Sequence, residues 1–160
     1  MRPILLPLAA ALAFGAAGAA FAMGGSSDKP AASPAAMVDP NYTQAKAMIE
    51  AKNYAGAMPL LQQVVAKNPK NADAYNLMGY ATRKSGDANG SLQYYNQALG
   101  IDPKHLGAHE YIGEAYLMLN KVGDAEQHLA KLDQLCVFGC VEQRTLKQAI
   151  ADFKAGKKTN

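Results

Sequence analysis

The chain has 160 residues, two cysteines, and sixteen Lys and Arg against thirteen Asp and Glu. Without the first 22 residues, which hold Arg2, the balance is 15 minus 13, or +2. So even a charge argues against the concentrated basic face that nucleic acid binding requires, and the length allows one domain of modest core.

Residues 1–22 read as a signal peptide. Arg2 is the only charge, an apolar run from Ile4 to Phe21 follows, and Ala20-Phe21-Ala22 has the small-x-small form of a peptidase site, with the cut expected after Ala22. An uncleaved membrane anchor is the rival reading, which the length of the run nearly permits. No Cys follows the cut, which argues against a lipoprotein, and the short n-region suits Gram-negative export. The expected location is therefore the periplasm or the exterior, with no stable membrane insertion after cleavage. Residues 23–37 are small and Pro-rich, a linker composition expected to be disordered.

From Val38 onward, three stretches (38–71, 72–105 and 106–137) superpose at a spacing of 34 residues. Small residues coincide at Ala45, Gly79 and Gly113, and again at Ala57, Ser91 and Ala125. Leu61, Tyr95 and Leu129 form a bulky column, as do Val64, Ala98 and Leu132, and Pro69 coincides with Pro103. A period of this length predicts stacked helical hairpins rather than a single-core enzyme fold. Helix pairs are expected at 41–52 and 54–67, 72–84 and 88–100, and 106–119 and 122–134. The turns fall at Lys52-Asn53, Ser85-Gly86-Asp87 and Asn120-Lys121. Pro59 is expected close enough to its helix start that its missing N–H is largely an unpaired donor anyway.

Cys136 and Cys140 follow, and in an exported chain the first expectation is a disulfide, with Gly139 supplying the turn of so short a loop. Two readings compete: a redox-active dithiol, and copper held by both thiolates with Met118 or His128. His105 and His109 are four apart, but His105 precedes its helix, so no metal site is expected there. Beyond the loop, Leu146, Ala149, Ile150 and Phe153 make one apolar face, and 141–155 is read as a capping helix for the last hairpin. The segment 156–160 is a short basic tail.

The columns resemble the tetratricopeptide repeat, most clearly at Tyr75, Met78-Gly79, Gly86, Tyr95, Ala98-Leu99 and Pro103. Asn41 and His109 stand where the opening aromatic belongs, and Val137 stands where Pro should close the third unit. The resemblance implies an all-α solenoid of three helix-turn-helix repeats plus a cap, spanning 38–155. It also implies a concave groove lined by the first helix of each pair. Carried over position by position, the groove holds Tyr42, Lys46 and Ile49, then Asn76, Tyr80, Arg83 and Lys84, then Glu110, Glu114 and Leu117. Of the carboxylate-clamp positions known in the family only Asn76 matches, while Tyr42, Lys46, Tyr80 and Gly107 depart, which argues against a chaperone-tail clamp. The stretch Leu132 to Cys140 is similar to the ending of other short exported proteobacterial repeat proteins.

These residues predict a non-catalytic adaptor without a cofactor, holding a segment of another envelope protein in a groove basic and aromatic in two units and acidic in the third. Reversal of Lys46, Arg83 and Lys84 to Glu is expected to abolish capture without unfolding. The alternative is a Cys-dependent copper or thiol-redox accessory factor, and a weaker one is self-association through the first repeat.

Overall fold

The computed structural model describes residues 39–157. The signal segment 1–22, the linker 23–37 and the end of the basic tail lie outside the described residues. Seven helices follow in order: α1 (Pro40–Glu50), α2 (Tyr54–Lys67), α3 (Ala72–Lys84), α4 (Ala88–Ile101), α5 (Leu106–Met118), α6 (Val122–Leu135) and α7 (Val141–Lys154). Among the described residues there is no strand, and no helix is long and apolar enough to cross a membrane.

The 34-residue period is written into the helix ends as well as the core. Asn53 and Asp87 cap α2 and α4 by accepting from the backbone N–H three residues on, at 3.0 and 2.7 Å. Asn71 and His105 cap α3 and α5 in the same way, at 2.9 and 3.1 Å. Each such cap satisfies a backbone donor that the helix leaves open. Lys121 occupies the third place of the first cap column and makes no side-chain cap. The three hairpin turns share one left-handed position, filled by Lys52 (φ 58), Gly86 (φ 101) and Asn120 (φ 58). Only glycine takes that conformation without strain.

Pro59 departs from the expectation above. Because α2 begins at Tyr54, Pro59 is its sixth residue, past the open donors, and it forgoes the bond to the Ala55 carbonyl. Ala55 and Pro59 are both exposed, so water can serve that carbonyl.

The core runs through the array in overlapping clusters. Ala45, Ala57, Leu61, Val64, Ala74 and Met78 join α1, α2 and α3. Tyr95, Ile112 and Ala115 join α4 to α5, and Leu117, Ala125, Leu132, Leu146 and Ile150 join α5, α6 and α7. Leu146 and Ile150 bury the apolar face of α7, each worth roughly 1.5–3 kcal/mol. The small-residue column lets these helices approach. A Cβ at Gly79 would lie 2.6 Å from the Tyr95 ring, and one at Gly113 would lie 2.6 Å from Leu146 Cδ2. Tyr95 is fully buried and cannot swing aside. Gly79→Ala should therefore destabilise by roughly 1–2 kcal/mol, overpacking outweighing the better helix propensity of alanine. Urea unfolding followed by circular dichroism reads this, and an unchanged midpoint would refute the close contact.

Candidate protein-binding groove

Helices α1, α3, α5 and α7 each touch the next of their set, while α2, α4 and α6 pack both against their own hairpin partners and against the helix that follows. The outward stripes of the first set form the groove. At its first end the groove deepens into an open pocket of about 300 Å³. Its walls are Ile49, Leu77, Tyr80, Tyr111 and Tyr54, with Lys46, Glu50 and Lys52 at the rim. Tyr42 and Lys46 also line a neighbouring hollow on α1 with Thr43, Ala47 and Glu50.

Tyrosines run across the pocket floor in contact. Ring centroids are 6.2 Å apart for Tyr54 and Tyr80, 5.0 Å for Tyr80 and Tyr111, and 6.3 Å for Tyr95 and Tyr111. Burial pushes the Tyr111 phenol up to about 12, so it stays protonated and presents a neutral donor. Lys84 Nζ lies 5.8 Å from the Tyr80 centroid, and the Lys84 side chain itself is exposed.

Four residues expected on the groove surface are buried, Arg83 and Leu117 almost completely and Asn76 and Glu110 nearly so. Arg83 is only 1% exposed. Its Nη2 lies 2.6 Å from Glu114 Oε2, its Nε donates to Tyr95 Oη at 3.4 Å, and its guanidinium sits 5.5 and 5.7 Å from the Tyr80 and Tyr111 centroids. It is the buried anchor of the tyrosine floor rather than a ligand contact. Reversing it to Glu would set a second carboxylate against Glu114, so the expectation that the triple reversal leaves the fold intact is corrected. Leu117, also 1% exposed, packs with Leu132, Leu146 and Ile150, because α7 covers it.

The remaining groove residues sit as follows. Lys46 is exposed, Tyr42, Ile49 and Tyr80 are half-buried, and Asn76 is buried with no hydrogen-bond partner for Oδ1 among the described residues. Gly107 lies opposite, where a Cβ would come within 3.3 Å of Asn76 Nδ2. Glu110 is buried, and burial, then Glu114 and Glu142, raise its carboxyl to about 7. The division of charge along the groove is thus weaker than the residue list implies. Arg83 and Glu114 neutralise each other, and Glu110 is half protonated near neutrality.

Sequence reasoning does not single out Tyr54, Leu77 and Tyr111, which line the pocket. Leu77 and Tyr111 share a column one period apart, which is a usable signal; Tyr54 has none.

The histidines pair differently from their sequence spacing. His105 caps α5, and its Nε2 lies 3.0 Å from Asp73 Oδ1. His109 instead meets His128 of α6, their Nδ1 atoms 3.0 Å apart, with His109 Nε2 3.0 Å from the Pro103 carbonyl. The His128 ring stacks on Tyr116. Among the described residues no group of three or more His, Cys, Asp or Glu is arranged to hold a metal ion.

Cys136 and Cys140 are joined in a disulfide, with Cα atoms 5.6 Å apart. The chain-entropy estimate for so short a loop is about 2 kcal/mol. The bond occupies both sulfurs, so the two-thiolate copper site and the free dithiol do not exist in this state. Cys140 also caps α7, its sulfur accepting from the Gln143 N–H at 3.4 Å, so one residue closes the loop and starts the helix.

Six helices in three hairpins and a seventh packed on the last of them, with small-residue columns and a groove along one helix set, define a tetratricopeptide-type repeat protein. The model of the family described as "Anaphase-promoting complex, cyclosome, subunit 3" matches residues 50–132, just over half of the chain, and the chain belongs to that family. A curated relative is the human protein O-mannosyl-transferase TMTC3, 31% identical over 68 residues, which are 42% of this chain and 7% of that protein. Among solved structures, MamA (residues 41 to the end) from Desulfovibrio magneticus RS-1 is similar, with a TM-score of 0.57 and 26% identity over 59% of this chain and 54% of that one. The first tetratricopeptide domain of Spaghetti (RPAP3), bound to the HSP90 peptide SRMEEVD, shares the fold with a TM-score of 0.61 at 16% identity, covering 69% of this chain and 90% of that one. The chain spans a small fraction of the transferase and about half of MamA.

Proposed function

We propose that this protein is a non-catalytic adaptor that holds an extended or helical segment of another envelope protein in the groove. The observation that carries the reading is the open pocket of about 300 Å³ walled by Tyr54, Tyr80 and Tyr111 and rimmed by Lys46 and Lys52. Tyrosines supply contact area at low entropy cost, and charged rims steer a ligand into register. An acidic stretch would lie over the exposed Lys46 and Lys84. The RPAP3 relative is a repeat domain with a peptide bound, which supports the same use of this groove. A periplasmic or secreted setting fits the apolar N-terminal segment and the disulfide.

The test leaves Arg83 in place. Lys46→Glu with Lys84→Glu changes exposed charges only, so the variant should fold normally and lose at least about tenfold in affinity for the captured protein. A pull-down from periplasmic extract, quantified by mass spectrometry and followed by titration calorimetry on the captured protein, reads this. Equal capture by both forms would overturn the groove assignment.

A further inference from the structure

We infer that the disulfide loop between α6 and α7 is a docking knob, and that its receptor is the tyrosine-walled pocket of a second copy of this chain. The inference rests on the groove reading above and names one occupant for it.

The knob is apolar and preorganised. Val137, Phe138 and Val141 are 79, 101 and 64% exposed, so the Phe138 ring touches almost nothing of its own chain. The backbone behind it is held on every side. The disulfide closes the loop, Gly139 turns it at φ 79 and donates its N–H to the Cys136 carbonyl at 2.8 Å, and α6 and α7 clamp its two ends. Little loop entropy remains to be lost when such a knob docks, which is what makes a rigid apolar tip an effective anchor.

The pocket complements it in size and charge. About 300 Å³ between Ile49, Leu77, Tyr80 and Tyr111 suits one aromatic side chain with a neighbouring branched one, and is the low end of ligand-pocket volumes. The rim carries two lysines, Lys46 and Lys52, and one acid, Glu50. Within four residues of either cysteine the knob carries two acids, Asp133 and Glu142, and one base, Arg144. These patterns are inverse, so approach is steered rather than opposed. A copy cannot fill its own pocket, since the loop enters α7 and both α3 and α5 lie between that helix and α1. The contact joins different surfaces of the two copies, so it propagates head to tail instead of stopping at a twofold dimer.

Sedimentation velocity of the purified, oxidised chain from micromolar to millimolar concentration tests this. The mass should rise with concentration, and Phe138→Ser should weaken the association at least about tenfold. Ile49→Arg, with its fold checked by circular dichroism, should do the same by blocking the pocket. Mixing the two variants leaves one working knob and one working pocket, and should give a 1:1 dimer that grows no further. A mass independent of concentration overturns the inference, and so does Phe138-dependent association that survives Ile49→Arg. Monomers that bind phosphatidylglycerol vesicles through Phe138 overturn it as well. The two readings fail separately: if Phe138→Ser still captures its partner and Lys46→Glu with Lys84→Glu does not, the groove stands without the knob.

Discussion

Replacing Arg83 by Met should lower stability by about 3 kcal/mol, the low end of the cost of breaking a buried ion pair. The low end applies because the Glu114 side chain keeps 21% of its exposure and is partly screened, whereas Arg83 keeps 1%. The variant loses the short contact to Glu114, the Tyr95 hydrogen bond and the cation over two tyrosine rings. It also strands Glu114 beside Glu110, whose carboxyl is already raised to about 7 and would rise further. Glu114→Gln in the Arg83→Met background removes that stranded charge and should recover part of the loss. The double-mutant cycle should then give a coupling above about 1 kcal/mol. Urea denaturation at pH 7 measures all four corners. A single-variant cost below about 1 kcal/mol would mean that Arg83 is an ordinary surface cation, as its place on the Tyr80 stripe suggests.

That stripe shows where sequence reasoning reached and where it stopped. Helix ends were legible to within a residue or two because their determinants are local. The caps at Asn53 and Asp87, and at Asn71 and His105, recur at the period of the core, as does the left-handed turn position at Lys52, Gly86 and Asn120. Depth within the groove was not legible, because it depends on other helices. Arg83 follows Tyr80 on the same helix face, but Tyr95 from α4 and Glu114 from α5 enclose it. Leu117 occupies the same column and is sealed by α7, which belongs to none of the repeats. Tyr54 reaches the pocket from the first residue of α2, a helix the groove rule ignores. The His109 and His128 contact spans nineteen residues and two helices, a distance that no local spacing encodes.

That histidine contact should make the third hairpin sensitive to acid. The Pro103 carbonyl can only accept, so His109 carries its proton on Nε2 and offers the Nδ1 lone pair to the Nδ1–H of His128. Burial, then the neighbouring His109, lowers His128 from 6.5 to about 4, against a smaller opposing pull from Asp124. The unfolded chain therefore binds more protons between those values, and stability falls as the pH drops from about 6.5 towards 4. At about 1.4 kcal/mol per pKa unit the full shift would be about 3 kcal/mol, and partial exposure reduces it to about 2. Glu110 acts in the opposite sense. Its folded value of about 7 exceeds the ordinary 4.5, so the folded chain binds the extra proton and loses stability as the pH rises through that range. The two slopes oppose each other in the wild type, which should be nearly flat from pH 4.5 to 6.5. Glu110→Gln should expose the histidine limb, with stability falling steadily on acidification, and should exceed the wild type at pH 8 by about 2 kcal/mol. His128→Gln should expose the carboxyl limb, gaining stability down to about pH 4.5. Denaturant midpoints across pH 4.5 to 8 decide it. A His128→Gln profile parallel to the wild type would show that His128 takes up its proton without cost.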